Sequence, residues 1–162
     1  MSRVYLLLGS NIGNRKETLS KAYKLIAQNK GVILSSSGVY ESAAWGFKSN
    51  NHFLNQVLLI ETEYSPQHLL SEILNIENIL GRVRKSKHYE SRVIDIDILL
   101  YDDKIVEDIN LKIPHPRLHQ RNFALVPLVE IAGEFIHPVF NKTIKEILEE
   151  CNDNLWVKIQ KE

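Results

Sequence analysis

The sequence predicts an α+β fold, a ferredoxin-like βαββαβ sandwich with a mostly antiparallel sheet and helices, followed by a C-terminal extension. Three observations predict it. Apolar runs with strand character recur at residues 3–8, 32–40, 51–63 and 92–101. Apolar residues at helical spacing fill the first and third intervals between them. Turn-forming residues punctuate the joins.

Residues 3–8 form the first strand and 9–14, Gly-Ser-Asn-Ile-Gly-Asn, a turn; the helix over 15–28 follows from Leu19, Ala22, Tyr23, Leu25 and Ile26 on one face. Residues 32–40 and 51–63 are the second and third strands. The helix over 66–80 has Pro66 at its start and Gly81 beyond its end, the favoured places for both residues. In the strand 92–101, alternation directs Ile94, Ile96, Ile98 and Leu100 to one face and Asp95 and Asp97 to the other. The two crossover helices are expected on one face of the sheet. The extension consists of a short hairpin around Asp102 and Asp103, the segment Ile113-Pro114-His115-Pro116, and helices over 124–131 and 143–151.

The chain of 162 residues suits one domain over 1–162. Twenty basic and twenty acidic residues cancel, which argues against a nucleic-acid or membrane binder acting through its overall field. Neither a signal-peptide core nor a transmembrane run is evident, and the single cysteine, Cys151, fits a reducing cytoplasm and a packing role. Small-molecule partners and a monomer are expected.

Asp95 and Asp97 project side by side, and like charges on one strand face repel unless something offsets them. Two readings fit. Either the face is simply solvated, or oxygen ligands at this spacing hold Mg²⁺ ions whose other ligands are water and substrate phosphate. Arg82, Arg84, Lys85, Lys87 and Arg92 cluster just before the aspartates, opposed only by Glu90. Guanidinium forks and lysine charges at that position suit a triphosphate, although a solvated basic connection also fits. The turn at 9–14 has neither Walker nor dinucleotide-binding spacing, so Gly9 and Gly13 are read as turn glycines. Phe53 and Asn55 share a strand face, and with Phe123 they offer aromatic surface and amide hydrogen bonding to a flat heterocycle. Core aromatics and an edge amide are the alternative. The polar stretches 41–52 and 82–91 are expected to be lids.

Together, Gly9-Ser10-Asn11-x-Gly13, Phe53-Leu54-Asn55, Gly81-Arg82-Val83-Arg84, Arg92-x-Ile94-Asp95-x-Asp97-Ile98-Leu99 and Pro114-His115-Pro116-Arg117-Leu118-x-x-Arg121-x-Phe123 closely resemble the 6-hydroxymethyl-7,8-dihydropterin pyrophosphokinase family, in order along nearly the whole chain. The resemblance implies pyrophosphoryl transfer from ATP to a reduced pterin in folate synthesis, with release of AMP. It implies that Asp95 and Asp97 bind two Mg²⁺ ions and that Arg82 and Arg92 stabilise the transferring group. Phe53 and Phe123 resemble the pair stacking on the pterin, with Ser42, Ala43, Trp45 and Asn55 reading its edge. ATP contacts would fall to Leu70, Glu77, Ile98 and Leu111, and to Arg84, His115 and Arg121. Another Mg²⁺-dependent nucleotidyl or phosphoryl transferase acting on a heterocycle is the alternative activity. The departure from the family pattern is Lys87-His88-Tyr89-Glu90-Ser91, where His88 replaces a permanent charge by one that titrates near neutrality.

Overall fold

The computed structural model describes residues 1–29, 31–44, 52–81 and 93–160. Its elements are β1 (Ser2–Ser10), α1 (Arg15–Asn29), β2 (Val32–Ser36), β3 (Tyr40–Ser42), β4 (Phe53–Thr62), α2 (Pro66–Ile79), β5 (Asp95–Tyr101), β6 (Val106–Glu107), β7 (Lys112–Ile113), α3 (Asn122–Ala132), α4 (Ile144–Glu150) and β8 (Val157–Ile159). The main sheet runs β5-β1-β4-β3-β8, and β2 pairs with the far half of β4. All its neighbours are antiparallel. This is the ferredoxin-like order, with the second strand divided and β8 added at that edge.

Capping chemistry delimits the helices. Asn14 Oδ1 accepts from Glu17 N at the start of α1, and Ser65 Oγ accepts from His68 N ahead of Pro66 in α2. Thr143 and Glu146 form a reciprocal capping box on α4. Where the second strand divides, Ser37 is buried, and although its N–H still donates to the Val57 carbonyl at 2.9 Å, its hydroxyl instead of a backbone carbonyl accepts the Val57 N–H at 2.9 Å. Gly31 precedes β2 at φ 151°, and a Cβ there would stand 2.3 Å from the Glu61 carbonyl oxygen. Gly31→Ala is therefore expected to destabilise the protein by about 3 kcal/mol, measurable as a lowered urea midpoint; an unchanged midpoint would refute the strain.

The central strands bury both faces. Val4, Leu6, Leu8, Leu54, Leu58, Ile60, Ile94, Ile96 and Ile98 pack with residues of α1 and α2, whereas Tyr5, Leu7 and Val57 pack with α3 and α4. The expected one-sided helix layer thus holds only for the crossover helices, because the extension folds back over the opposite face. The Asp102–Asp103 segment is a tight turn with Asp102 at φ 48°, and the hairpin is the later β6–β7 pair. Leu100 also departs from strict alternation. The β1–β5 register slips between Tyr5/Leu100 and Leu6/Ile98, a bulge that sends Leu99 and Leu100 together into the α3–α4 core.

Candidate active site

The α3–α4 face of the sheet is apolar along only part of its length. Toward the ends of β1 and β4 the same face carries Gly9, Phe53 and Asn55, with Asp95 and Asp97 beside them on β5. Register places Asp95 opposite Gly9 and Gly9 opposite Asn55, a row crossing three strands. Asp97 lies opposite Leu7 in the next row of that face. The predicted carboxylate pair is therefore held on a strand anchored from behind by buried Ile94, Ile96 and Ile98.

Gly9 is a strand residue, not the turn glycine expected from sequence, and it has no positive φ; Gly13, at φ 69°, is the turn glycine. What Gly9 supplies is space. A Cβ on it would stand 3.2 Å from Asn55 Oδ1 and 3.7 Å from the Phe53 ring. Asn55 is buried, and its Nδ2 donates to the buried Ser42 hydroxyl at 2.8 Å. That bond fixes the amide so that Oδ1, an acceptor, faces the space above Gly9. Ala43 and Phe53 are half-buried at the same end.

Phe123 lies in the first turn of α3, half-buried against the second core, and the Arg121 guanidinium carbon sits 5.4 Å from its ring centroid. His115 is docked onto β5 by its N–H, which donates to the Leu99 carbonyl at 3.0 Å, and its Nδ1 accepts from Arg117 N. Burial pushes the His115 pKa down to about 4, helped by the positive charges of Arg121 and Arg117 and opposed by Asp95. The imidazole is consequently neutral near pH 7, with Nε2–H as its donor.

Leu70, Ile98 and Leu111 meet on the opposite face of β5, in the α1–α2 core. Glu77, one helical face with Leu70, is buried and accepts the Ile96 N–H at 2.8 Å, closing that part of the edge strand. The predicted pterin residues on β3 and β4 thus share a sheet face with Asp95 and Asp97, two strands and more from β5, whereas Leu70, Ile98 and Leu111 lie on the opposite face. Trp45, Arg82, Arg84, Arg92 and the other basic residues through His88 lie outside the described residues, as do most of both expected lids.

His137 is a second histidine whose pKa is depressed by burial. His137 Nδ1 accepts from Val139 N and Phe140 N, its ring stacks on Phe140, and burial, reinforced by His119, pushes its pKa down to about 4. A depressed histidine leaves the unfolded chain binding more protons between pH 4 and 6.5, so stability rises with pH across that window. Acidification from pH 6.5 to 4 is expected to remove on the order of 2–3 kcal/mol for such a group. A pH-independent urea midpoint over that window would refute it.

Residues 5–133 match the family described as 7,8-dihydro-6-hydroxymethylpterin-pyrophosphokinase (HPPK). The chain belongs to the HPPK family. It is 43% identical over 150 residues to the 2-amino-4-hydroxy-6-hydroxymethyldihydropteridine pyrophosphokinase of Aquifex aeolicus, covering 93% of this chain and 92% of the relative. The Haemophilus influenzae enzyme of the same name is 38% identical over 160 residues, 98% of this chain and 99% of that one. In Pneumocystis carinii the folic acid synthesis protein fol1 is 39% identical over 151 residues, 93% of this chain but only 20% of its own length. A Plasmodium falciparum HPPK-DHPS crystal structure with STZ-DHP shares the fold at TM-score 0.77 and 17% identity, with 92% of this chain and 43% of that chain covered. The chain thus spans under half of that solved chain. HPPK activity is pyrophosphoryl transfer to hydroxymethyldihydropterin in folate synthesis, so the expected family and activity stand. Among the described residues no helix is long and apolar enough to cross a membrane.

Sequence reasoning missed the place of Gly9, which was legible as a glycine in the motif but not as the open position between Asp95 and Asn55, since that depends on strand register.

Proposed function

We propose that this HPPK binds the pterin over Gly9, between the rings of Phe53 and Phe123, with the triphosphate of ATP brought to Asp95 and Asp97 across the edge of β5. The row Asp95–Gly9–Asn55 carries this reading, because it sets a carboxylate and an edge-reading amide on either side of an open strand position. Asn55 Oδ1 accepts from ring N–H groups, and Ser42 keeps the amide from rotating. Neutral His115 donates from Nε2 without adding a charge that would titrate near neutrality. Leu70, Ile98 and Leu111 offer apolar surface to adenine, and Arg121 offers a guanidinium held by the Phe123 ring.

The donor set suits two Mg²⁺ ions. Asp95 and Asp97 are hard oxygen ligands, and among the described residues no group of three or more His, Cys, Asp or Glu side chains stands ready to enclose a metal. A pair of carboxylates that leaves the remaining positions to water and phosphate is what Mg²⁺ takes in phosphoryl-transfer sites. Bound there, Mg²⁺ neutralises phosphate charge during transfer. The hydroxymethyl O–H gives up its proton, which passes to solvent, as its oxygen forms a bond to the β-phosphorus; the bond from that phosphorus to the α–β bridging oxygen breaks, and AMP leaves. Such chemistry asks the protein for position and charge, not for a nucleophile. Arg82, Arg84 and Arg92 are assigned to the phosphates on motif alone.

Product analysis tests the reading. With ATP, Mg²⁺ and 6-hydroxymethyl-7,8-dihydropterin, AMP and the diphosphorylated pterin should accumulate together, and chelation should stop both. Release of inorganic pyrophosphate with a nucleotidylated pterin would establish nucleotidyl transfer instead.

A further inference from the structure

Helix α3 begins without a side-chain cap of its own. Arg121 occupies the cap position and makes no capping bond, because an arginine side chain has no acceptor to offer the first-turn N–H groups. Pro127 stands inside the helix, and having no N–H it cannot give Phe123 the usual bond from four residues on. The first turn of α3, which carries Phe123 beside Arg121, is therefore weakly held by its own sequence.

The missing hold comes from 31 residues away. Asp153 Oδ2 accepts the Asn122 N–H at 2.9 Å, Asn122 Nδ2 donates to the Asp153 carbonyl at 2.8 Å, and Asp153 Oδ1 accepts from Leu155 N at 3.0 Å. One carboxylate thus caps α3 from a distance and braces its own chain between α4 and β8. A negative charge at a helix N-terminus is favourable in itself. Asn122 sits between Arg121 and Phe123, so any shift at this contact moves both neighbours.

We infer that Asp153 is a positioning residue for HPPK catalysis: a remote cap that fixes the first turn of α3 and thereby sets the Phe123 ring against the pterin. This rests on the placing of Phe123 proposed above. The arrangement follows from a conflict at position 121. A residue such as Ser or Asp would cap the helix there but would forgo the guanidinium, so the capping acceptor is supplied by the C-terminal segment.

The test is a double-mutant cycle with the whole protein. Asp153→Ala should raise the KM for the pterin about ten-fold, in line with the loss of a helix cap, while kcat changes by less than about three-fold. Phe123→Leu should raise the same KM, and adding Asp153→Ala to it should then raise KM no further, since the cap acts through the ring. Leu148→Ala, which removes apolar packing from α4 against the second core, should lower thermal stability and leave KM unchanged. If Asp153→Ala does not fold, Asp153→Asn, which keeps the shape and one acceptor, should show the same non-additivity at smaller amplitude. A wild-type pterin KM in the folded Asp153 variant, or additive effects in the cycle, would overturn the inference while leaving the slot intact. An unchanged KM in Phe123→Leu would overturn the slot, and the inference with it.

Discussion

Replacing either Asp95 or Asp97 by alanine is expected to lower pyrophosphoryl transfer by about a thousand-fold or more, the scale of losing a group that stabilises developing charge, with the fold unchanged. Asp95 pairs with Gly9 and Asp97 with Leu7 in successive rows of one face, while the buried apolar residues of this segment are Ile94, Ile96, Ile98, Leu99 and Leu100. Truncating the aspartates removes none of that apolar packing. Circular dichroism and thermal midpoints should therefore stay close to wild type, while AMP release in a coupled assay collapses. Asp95→Asn and Asp97→Asn should fall nearly as far, because a neutral amide keeps the shape but is a far poorer ligand for Mg²⁺. Turnover within ten-fold of wild type in either alanine variant would refute the two-carboxylate reading. Loss of structure alongside loss of turnover would instead make the pair a structural feature of β5.

Those aspartates were legible because the signal is local: period-two alternation in one strand is a property of consecutive residues. The order of strands and helices was legible for the same reason. What escaped depends on how strands meet. Leu100 turns to the α3–α4 face because β5 bulges against β1, and nothing within 95–101 announces a slip that arises from pairing with residues 5 and 6. The hairpin moved from Asp102–Asp103 to 106–113 because Asp and Asn residues mark several possible turns there and the fold uses the first as a simple turn. The second helix layer escaped as well. Residues 122–150 have helical patterns, but which sheet face they cover is decided by Tyr5, Leu7 and Val57 on distant strands. The family resemblance added Ser42, His115 and Arg121 as candidates that periodicity did not single out, and named them without a geometry. The register then made Asn55 and Asp95 neighbours of one glycine, and the burial of His115 gave it a charge state that its motif position could not indicate.

Gly9→Val is expected to weaken pterin binding by about a hundred-fold, some 2.7 kcal/mol, with folding retained and ATP binding close to normal. The backbone does not require glycine here: Gly9 has no positive φ and pairs on both sides within the regular register of β1. A β-branched residue suits a strand interior, so the substitution is compatible with folding. Its cost arises above the sheet. The first carbon added already stands 3.2 Å from Asn55 Oδ1 and 3.7 Å from Phe53, and the two methyl groups beyond it enter the space assigned to the heterocycle. Asn55 must then give way, and its bond to the buried Ser42 hydroxyl is strained or lost. Leu70, Ile98 and Leu111, the residues proposed to meet adenine, lie on the other face of the sheet, in a separate core, and do not feel the change. Titration of the pterin in the presence of a non-transferable ATP analogue separates the two ligands. Wild-type pterin affinity in Gly9→Val would move the heterocycle away from the Asp95–Gly9–Asn55 row. Equal loss of ATP and pterin binding would mean that the strand itself had shifted.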